Sequence, residues 1–287
     1  MQACAAFVSE LKAVERQSQL ANIEGLELRS EGIGPDVIFM VHGWPDTASL
    51  WDEQVEALSD RFRCVRITLP GFDIRQPRRP VGLEEMAEVL RGAIEKESPD
   101  RPVTLLLHDW GCVFGYHFAA KHPHLVSRVI GMDIGDANSE ECRASLGITG
   151  AIMVFAYQFW LAVAWRIGGG LGDWMTRGMA WALGAPAVRE SIGSSMNYPY
   201  DMMWFRSYGS FEALEPYRPS TPMLFFYGAK KPFQFFSEAW TDSIERWPDS
   251  RVVRVDAGHW LMKDRADEVN GILLEWLAKT ASSPVGE

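Results

Sequence analysis

The chain has 287 residues, 47% of them hydrophobic, and a net charge of −10 at pH 7. That length can bury one large core, or a core with an inserted subdomain, and the lack of any internal repeat speaks against a solenoid. No Lys/Arg cluster is longer than the stretch Arg75 to Arg79, so neither nucleic acid nor an anionic membrane is an expected partner.

The first segment, Met1 to Leu20, mixes Glu10, Lys12, Glu15 and Arg16 into a helical apolar pattern. It lacks the charged-then-apolar order of a signal peptide and predicts a soluble helix. Beyond it, short β-branched runs alternate with longer helical patterns, the signature of βαβ units and an α/β fold with a mostly parallel, doubly wound sheet. Strands are predicted at Gly25–Ser30, Val37–Val41, Cys64–Leu69, Val103–Leu107, Val126–Asp133, Met223–Tyr227 and Val252–Val255. Helices are predicted near Leu50–Leu58, Leu83–Glu97, Cys112–Lys121, Phe235–Trp247 and Ala266–Ala278. The alternation breaks from Gly135 to about Pro219, which is rich in Trp, Met and Tyr and shows helical periodicity interrupted by glycines. This predicts a helical cap over 137–218, inserted into a core made of 1–136 and 219–287, with the active site between the two. The most apolar stretch, Ile148 to Trp165, is barely long enough to cross a bilayer. It predicts a buried helix or one lining an apolar pocket, with no stable membrane span. Cys4, Cys64, Cys112 and Cys142 are scattered without metal-ligand spacing. They read as buried thiols in a reducing, cytoplasmic setting, with no metal site.

The segment Val103 to Cys112, VTLLLHDWGC, runs from a buried strand directly into a helix. A sharp strand-to-helix turn carrying one reactive side chain is a nucleophile elbow, normally G-x-S-x-G. Here the central residue is Asp109; Gly111 is small where the turn needs it, but Leu107 occupies the other position that is usually small. A carboxylate with a pKa near ~4 is already an anion at neutral pH and can attack an sp³ carbon without a base. In isolation Asp109 would read as a helix N-cap; the surrounding constellation reverses that preference.

Strand Val37–Val41 ends in His42-Gly43-Trp44-Pro45-Asp46, a loop expected to approach the elbow at the carboxyl ends of the strands. The backbone N–H groups of Trp44 and Trp110 can then converge on one oxygen as an oxyanion hole. Strand Val252–Val255 leads into Asp256-Ala257-Gly258-His259-Trp260, so that His259 follows the nucleophile in the chain as a general base should. The remaining histidines read as hydrogen-bonding residues of loops and of the elbow helix. A histidine base needs an orienting carboxylate. The usual place, after strand Met223–Tyr227, reads Gly228-Ala229-Lys230-Lys231-Pro232 and holds no acid. The end of the preceding core strand offers Asp133 and Asp136; Asp133, at the strand end, is preferred over Asp136, which already enters the insertion.

His42 to Pro45, His108 to Gly111 and Gly258 to Trp260 together resemble the epoxide hydrolase and haloalkane dehalogenase branch of the α/β-hydrolase fold. The resemblance implies a covalent aspartyl ester opened by His-activated water, a small apolar substrate and no cofactor. It also implies two cap tyrosines that donate to an epoxide oxygen: Tyr157, from its local motif, and Tyr200, with Tyr198 as the alternative. A dehalogenase would instead use indole N–H groups, from Trp110 and one of Trp160, Trp165, Trp174, Trp181 and Trp204, although Trp44 stands where its best-known subgroup has asparagine. An epoxide hydrolase is the leading expectation. A dehalogenase, an esterase and a non-catalytic protein of the same fold are its rivals.

Overall fold

The computed structural model describes residues 26–209 and 214–280. The N-terminal helix expected over Met1 to Leu20, the first residue of the strand expected at Gly25–Ser30, and Cys4 lie outside them. Seven strands form one sheet: β1 (Leu28–Glu31), β2 (Val37–Val41), β3 (Arg63–Ile67), β4 (Val103–His108), β5 (Val126–Met132), β6 (Met223–Gly228) and β7 (Arg251–Val255). Their order is β1-β3-β2-β4-β5-β6-β7. Strand β1 runs antiparallel to β3, and the other neighbouring pairs are parallel.

The central strands are buried on both faces, as a sheet covered on two sides requires. All residues of β2 and β4 are buried. Their alternate residues feed two separate cores: Phe39, Val41, Leu105 and Leu107 enter one, and Ile38, Met40 and Leu106 the other. Ten helices accompany the sheet among the described residues: α1 (Asp52–Leu58), α2 (Leu83–Glu97), α3 (Trp110–Lys121), α4 (Glu140–Ser145), α5 (Gly147–Ile167), α6 (Gly169–Ala182), α7 (Tyr198–Phe205), α8 (Glu238–Glu245), α9 (Leu261–Asp264) and α10 (Ala266–Thr280). Leu83, Met86 and Leu90 of α2 pack into the first core, and Val269, Leu273 and Trp276 of α10 into the second.

The boundaries move where local hydrogen bonding decides. The helix expected near Phe235–Trp247 starts only at Glu238, because Ser237 caps it by accepting the Trp240 N–H. Phe235 instead forms a parallel bridge with Ile134. Asp133, expected to end its strand, lies one residue beyond β5 at φ 74. Between β5 and β6 the described residues are helical or irregular, with no further strand.

Of the two expectations for Ile148 to Trp165, the helix that lines an apolar pocket is found and the buried helix is not. Ala151, Val154 and Tyr157 do line a cavity, but only 28% of the most apolar window of α5 is buried. The helix packs against α6 and α7 and over the cavity, and its outer side is left with nothing against it among the described residues.

The chain adds β3 on one side of β2 and β4 on the other, so the strand order reverses between β2 and β4. Loops leaving the carboxyl ends of strands at such a switch point form the crevice where ligands bind in open α/β sheets. The loops leaving β2 and β4 carry Trp44 and Asp109.

Candidate active site

Asp109 joins β4 to α3 with φ 52 and ψ −122, a conformation that costs a non-glycine residue on the order of 1–3 kcal/mol. It stands at the N-cap position but makes no side-chain cap hydrogen bond. Its Oδ1 instead accepts the Trp44 N–H at 2.7 Å, and the Trp110 nitrogen lies on the same side of Gly43. Backbone N–H groups converging on one side of a carboxylate are what an oxyanion hole requires. The approach depends on Gly43, where a Cβ would lie 2.3 Å from Asp109 Oδ1 and 2.5 Å from the Trp110 nitrogen. Leu107 is tolerated at the usually small elbow position because α3 presents Gly115 to it. A Cβ there would meet Leu107 Cδ2 at 2.5 Å.

The loop after β7 brings His259 to the elbow, with Nε2 3.5 Å from Asp109 Oδ2. Its Nδ1 is hydrogen-bonded to Asp133 Oδ2. The other Asp133 oxygen accepts the Gly228 N–H at 3.1 Å, and the Lys231 ammonium lies 2.6 Å from Oδ2. Asp136 faces elsewhere: it accepts the Ser237 N–H and hydroxyl and the Ser139 hydroxyl, each at 2.7 Å, and so ties together the N-caps of α4 and α8. Of the two candidate acids, only Asp133 contacts His259.

Charge organises these groups. Burial opposes the His259 imidazolium, but Asp133 and Asp109 on either side outweigh it and hold the ring at about 9. Burial by itself would raise Asp133; Lys231 and His259 bring it down to about 2. Burial likewise works against the Asp109 anion, and the hydrogen bond and charge of His259 keep it below the usual carboxylate range. Asp109 and Asp133 are therefore anions at neutral pH, with one imidazolium between them.

A cavity of about 410 Å³ opens above Asp109. Trp110, Tyr157, Tyr200, Phe155 and Trp204 are among its walls, whereas Tyr198 is not. Tyr198 is fully buried against Phe72 and Trp165. The Tyr200 ring stands 5.3 Å from that of Trp110, edge to face, and 6.3 Å from that of Tyr157. Burial raises both tyrosines well above their ordinary range, so each keeps its proton. Gln158 donates to the Tyr157 hydroxyl at 3.1 Å, leaving that proton free to point at a ligand.

Of the cap indoles proposed as halide donors, two are committed: Trp160 Nε1 donates to the Met175 carbonyl at 3.2 Å and Trp165 Nε1 to the Tyr208 hydroxyl at 3.3 Å. Trp44, which counted against a dehalogenase, donates its Nε1 to Asn197 Oδ1 at 2.7 Å. Trp174 and Trp181 do not line the cavity; Trp204 does.

The other histidines serve structure. His42 Nδ1 bonds the Gly43 carbonyl and its Nε2 accepts the Leu69 N–H, while burial lowers it to about 4. His108 Nε2 bonds the His259 carbonyl at 3.1 Å; His117 and His122 face Glu84 and Glu88. Cys64, Cys112 and Cys142 are buried free thiols.

Three contributors escaped the sequence reading. Lys231 stands in the segment noted only for lacking an acid. Asn197 fixes the Trp44 indole, and Asp46 accepts from Trp260 Nε1 at 2.9 Å beside the base; burial pushes Asp46 up to about 7. Only Asp46 had a signal, its place within the His42 loop.

A family profile described as alpha/beta hydrolase fold matches residues 36–266. Among curated proteins, a cis-3-alkyl-4-alkyloxetan-2-one decarboxylase of Xanthomonas campestris is 31% identical over 104 residues, covering 33% of this chain and 35% of the relative. Epoxide hydrolase 2 of Caenorhabditis elegans is 32% identical over 117 residues, 39% of this chain and 32% of the relative. These matches thus span about a third of each relative's length. Among solved structures, a mutant epoxide hydrolase from Bacillus megaterium superposes with a TM-score of 0.68 at 23% identity, covering 88% of this chain and 96% of that one. A proposed ancestral haloalkane dehalogenase gives 0.60 at 18% identity, covering 90% and 96%. At such identities the likeness is one of fold.

Proposed function

The chain belongs to the α/β-hydrolase fold family, and on that premise we propose that it opens epoxides to vicinal diols through an ester on Asp109. The observation that carries this reading is that two protonated tyrosines, Tyr157 and Tyr200, share one cavity with an ionised Asp109. An epoxide oxygen leaves as an alkoxide still tethered to its substrate and needs proton donors, which a departing halide does not. The name of the nematode relative is in keeping with this reading.

In the first step Asp109 Oδ2 attacks an epoxide carbon, the carbon–oxygen bond breaks, a tyrosine proton passes to the ring oxygen, and the proton that His259 gives up as the Asp109 charge is lost restores the tyrosinate. Oδ1 stays on the Trp44 N–H, with the Trp110 N–H beside it. In the second, the neutral His259 Nε2 takes a proton from water, whose oxygen adds to the Asp109 carboxyl carbon. The resulting oxyanion is stabilised by those two N–H groups, and its collapse expels the diol oxygen, which takes the proton of the added hydroxyl and leaves Asp109 ionised and His259 protonated as at the start. Asp133 holds the ring through Nδ1 and balances its transient charge. The two steps demand opposite states of His259, and the charges supply the order. Esterification removes the Asp109 anion, one of the two that keep the imidazolium protonated, so His259 becomes a base once there is an ester to hydrolyse. The helices between β5 and β6 act as a cap that closes over the substrate.

A dehalogenase reading draws on Trp110 and Trp204, the two indoles that line the cavity. It is disfavoured because Trp44 stands where the best-known dehalogenase subgroup has asparagine, and its indole is committed to Asn197.

A single turnover in ¹⁸O-water on epoxides and bromoalkanes, followed by mass analysis of the peptide holding Asp109, tests the proposal. Label in that carboxylate with diol as product is the expected result. Label with halide release would assign the dehalogenase, and turnover without label would remove the ester.

A further inference from the structure

Helix α5 is long and apolar enough to cross a membrane, yet most of it lies outside the protein interior. Ile148 is 83% exposed, and on the neighbouring α6 Trp181 is 82% exposed. Ile152, Phe159, Leu171 and Trp174 are also solvent-facing. The two helices are joined by the hydrogen bond from Trp160 to Met175 and share an apolar groove lined by Trp160, Trp174 and Met179, so these side chains form one surface. Single exposed apolar residues are ordinary; a continuous aromatic and aliphatic face marks an interaction surface.

Charge decides what fits it. From 147 to 183 the charged residues are Arg166, Asp173 and Arg177 alone, and all three are engaged by the protein itself. Arg166 Nε lies 2.6 Å from Asp201 Oδ1, Asp173 accepts the Ser194 N–H and hydroxyl at 2.7 and 2.8 Å, and Arg177 donates to the Ile192 carbonyl at 2.8 Å. In a chain of net charge −10, the two helices thus present no uncommitted charge of their own to an anionic lipid. Tryptophan at such a surface suits a membrane interface, with an apolar ring and a polar N–H.

The face is also continuous with the substrate cavity. Phe155 and Trp204 both line the cavity and remain 47% and 36% exposed, with their rings 5.0 Å apart. Phe159 stacks on Phe155 at 5.3 Å. A second copy of the chain seated here would close that rim, whereas an acyl phase would feed it.

We propose that the α5–α6 face docks on an electroneutral lipid bilayer, lying in its interface without spanning it, and that apolar substrate reaches Asp109 from the acyl phase past Phe155 and Trp204. The route, though not the docking, rests on the function proposed above. One side of α5 lines the cavity through Tyr157 and Gln158, so the helix stays with the protein while its outer side meets lipid.

Co-sedimentation of the full chain with phosphatidylcholine vesicles, without substrate, tests the docking. The wild type is expected to sediment in low and high salt alike, and W174E/W181E to bind at least about tenfold more weakly. The same variant should turn over a water-soluble styrene-type oxide normally but lose turnover of a long-chain epoxide dissolved in the vesicles. No sedimentation of the wild type, binding that needs anionic lipid and vanishes in salt, or a lipid-free dimer that W174E/W181E dissociates would each overturn the docking. Equal loss on both substrates would overturn the route. Sedimentation is read without chemistry, so inertness towards every epoxide would count against the proposed function and leave the docking result standing.

Discussion

Replacing Asp109 by asparagine should free His259 of its proton at neutral pH. In the folded protein two anions hold the imidazolium at about 9, and one of them, Asp109 Oδ2, lies 3.5 Å from Nε2. Coulomb's law at an effective dielectric of ~20 gives roughly 4–5 kcal/mol for unit charges at that separation. At about 1.4 kcal/mol per pKa unit this amounts to about 3 units. D109N, which keeps the shape and the oxygen on the Trp44 N–H but removes the charge and puts an N–H donor opposite His259 Nε2, should therefore bring His259 from about 9 to roughly 6, and esterification of Asp109 removes the same charge during turnover. Titration of the imidazole by ¹H–¹⁵N NMR in wild type and D109N reads the shift directly, with D133N as a second arm expected to move in the same direction. If His259 in D109N stayed within a unit of its wild-type value, loss of the Asp109 charge could not be what turns an acid into a base between the two steps, and that part of the mechanism would fall.

Tyr157→Phe and Tyr200→Phe should each slow ester formation from an epoxide by about 10²-fold or more while sparing hydrolysis of a preformed ester, a split that rapid-quench kinetics would resolve. Gly115→Ala should destabilise the protein by about 1–3 kcal/mol in urea unfolding, because its Cβ would meet Leu107 Cδ2 at 2.5 Å. In a Leu107→Ala background, where the opposing Cδ2 is gone, the same Gly115→Ala change should cost less. Lys231→Met removes the cation 2.6 Å from Asp133 and should cost about 3–5 kcal/mol of stability at pH 7. It also deepens the negative potential at His259, which favours the imidazolium, so the acid limb of the ester-hydrolysis pH profile should shift to higher pH; Lys231→Arg should restore it.

What the sequence made legible is what short-range chemistry decides. Period-two placement sends alternate residues of Val37–Val41 and Val103–His108 into the two cores, so both faces are buried and the central strands could be read from their continuous apolar runs. Asp109 and Trp110 are neighbours in the chain, and the turn that exposes one also aims the N–H of the other. The loop positions of Trp44 and His259 follow from where their strands stop. The rest depended on residues far apart in sequence. Asp133 meets His259 across 126 positions because β5, β6 and β7 lie side by side in parallel register, and that register turned Asp136 to the helix caps instead. Lys231 was visible only as a missing acid, and its role appeared when the loop after β6 folded onto Asp133. The exposed side of α5 could not be told from a buried one by composition. Apolar residues around a helix say that something must cover it, and only the packing of α6, α7 and the cavity showed which side the described residues leave bare.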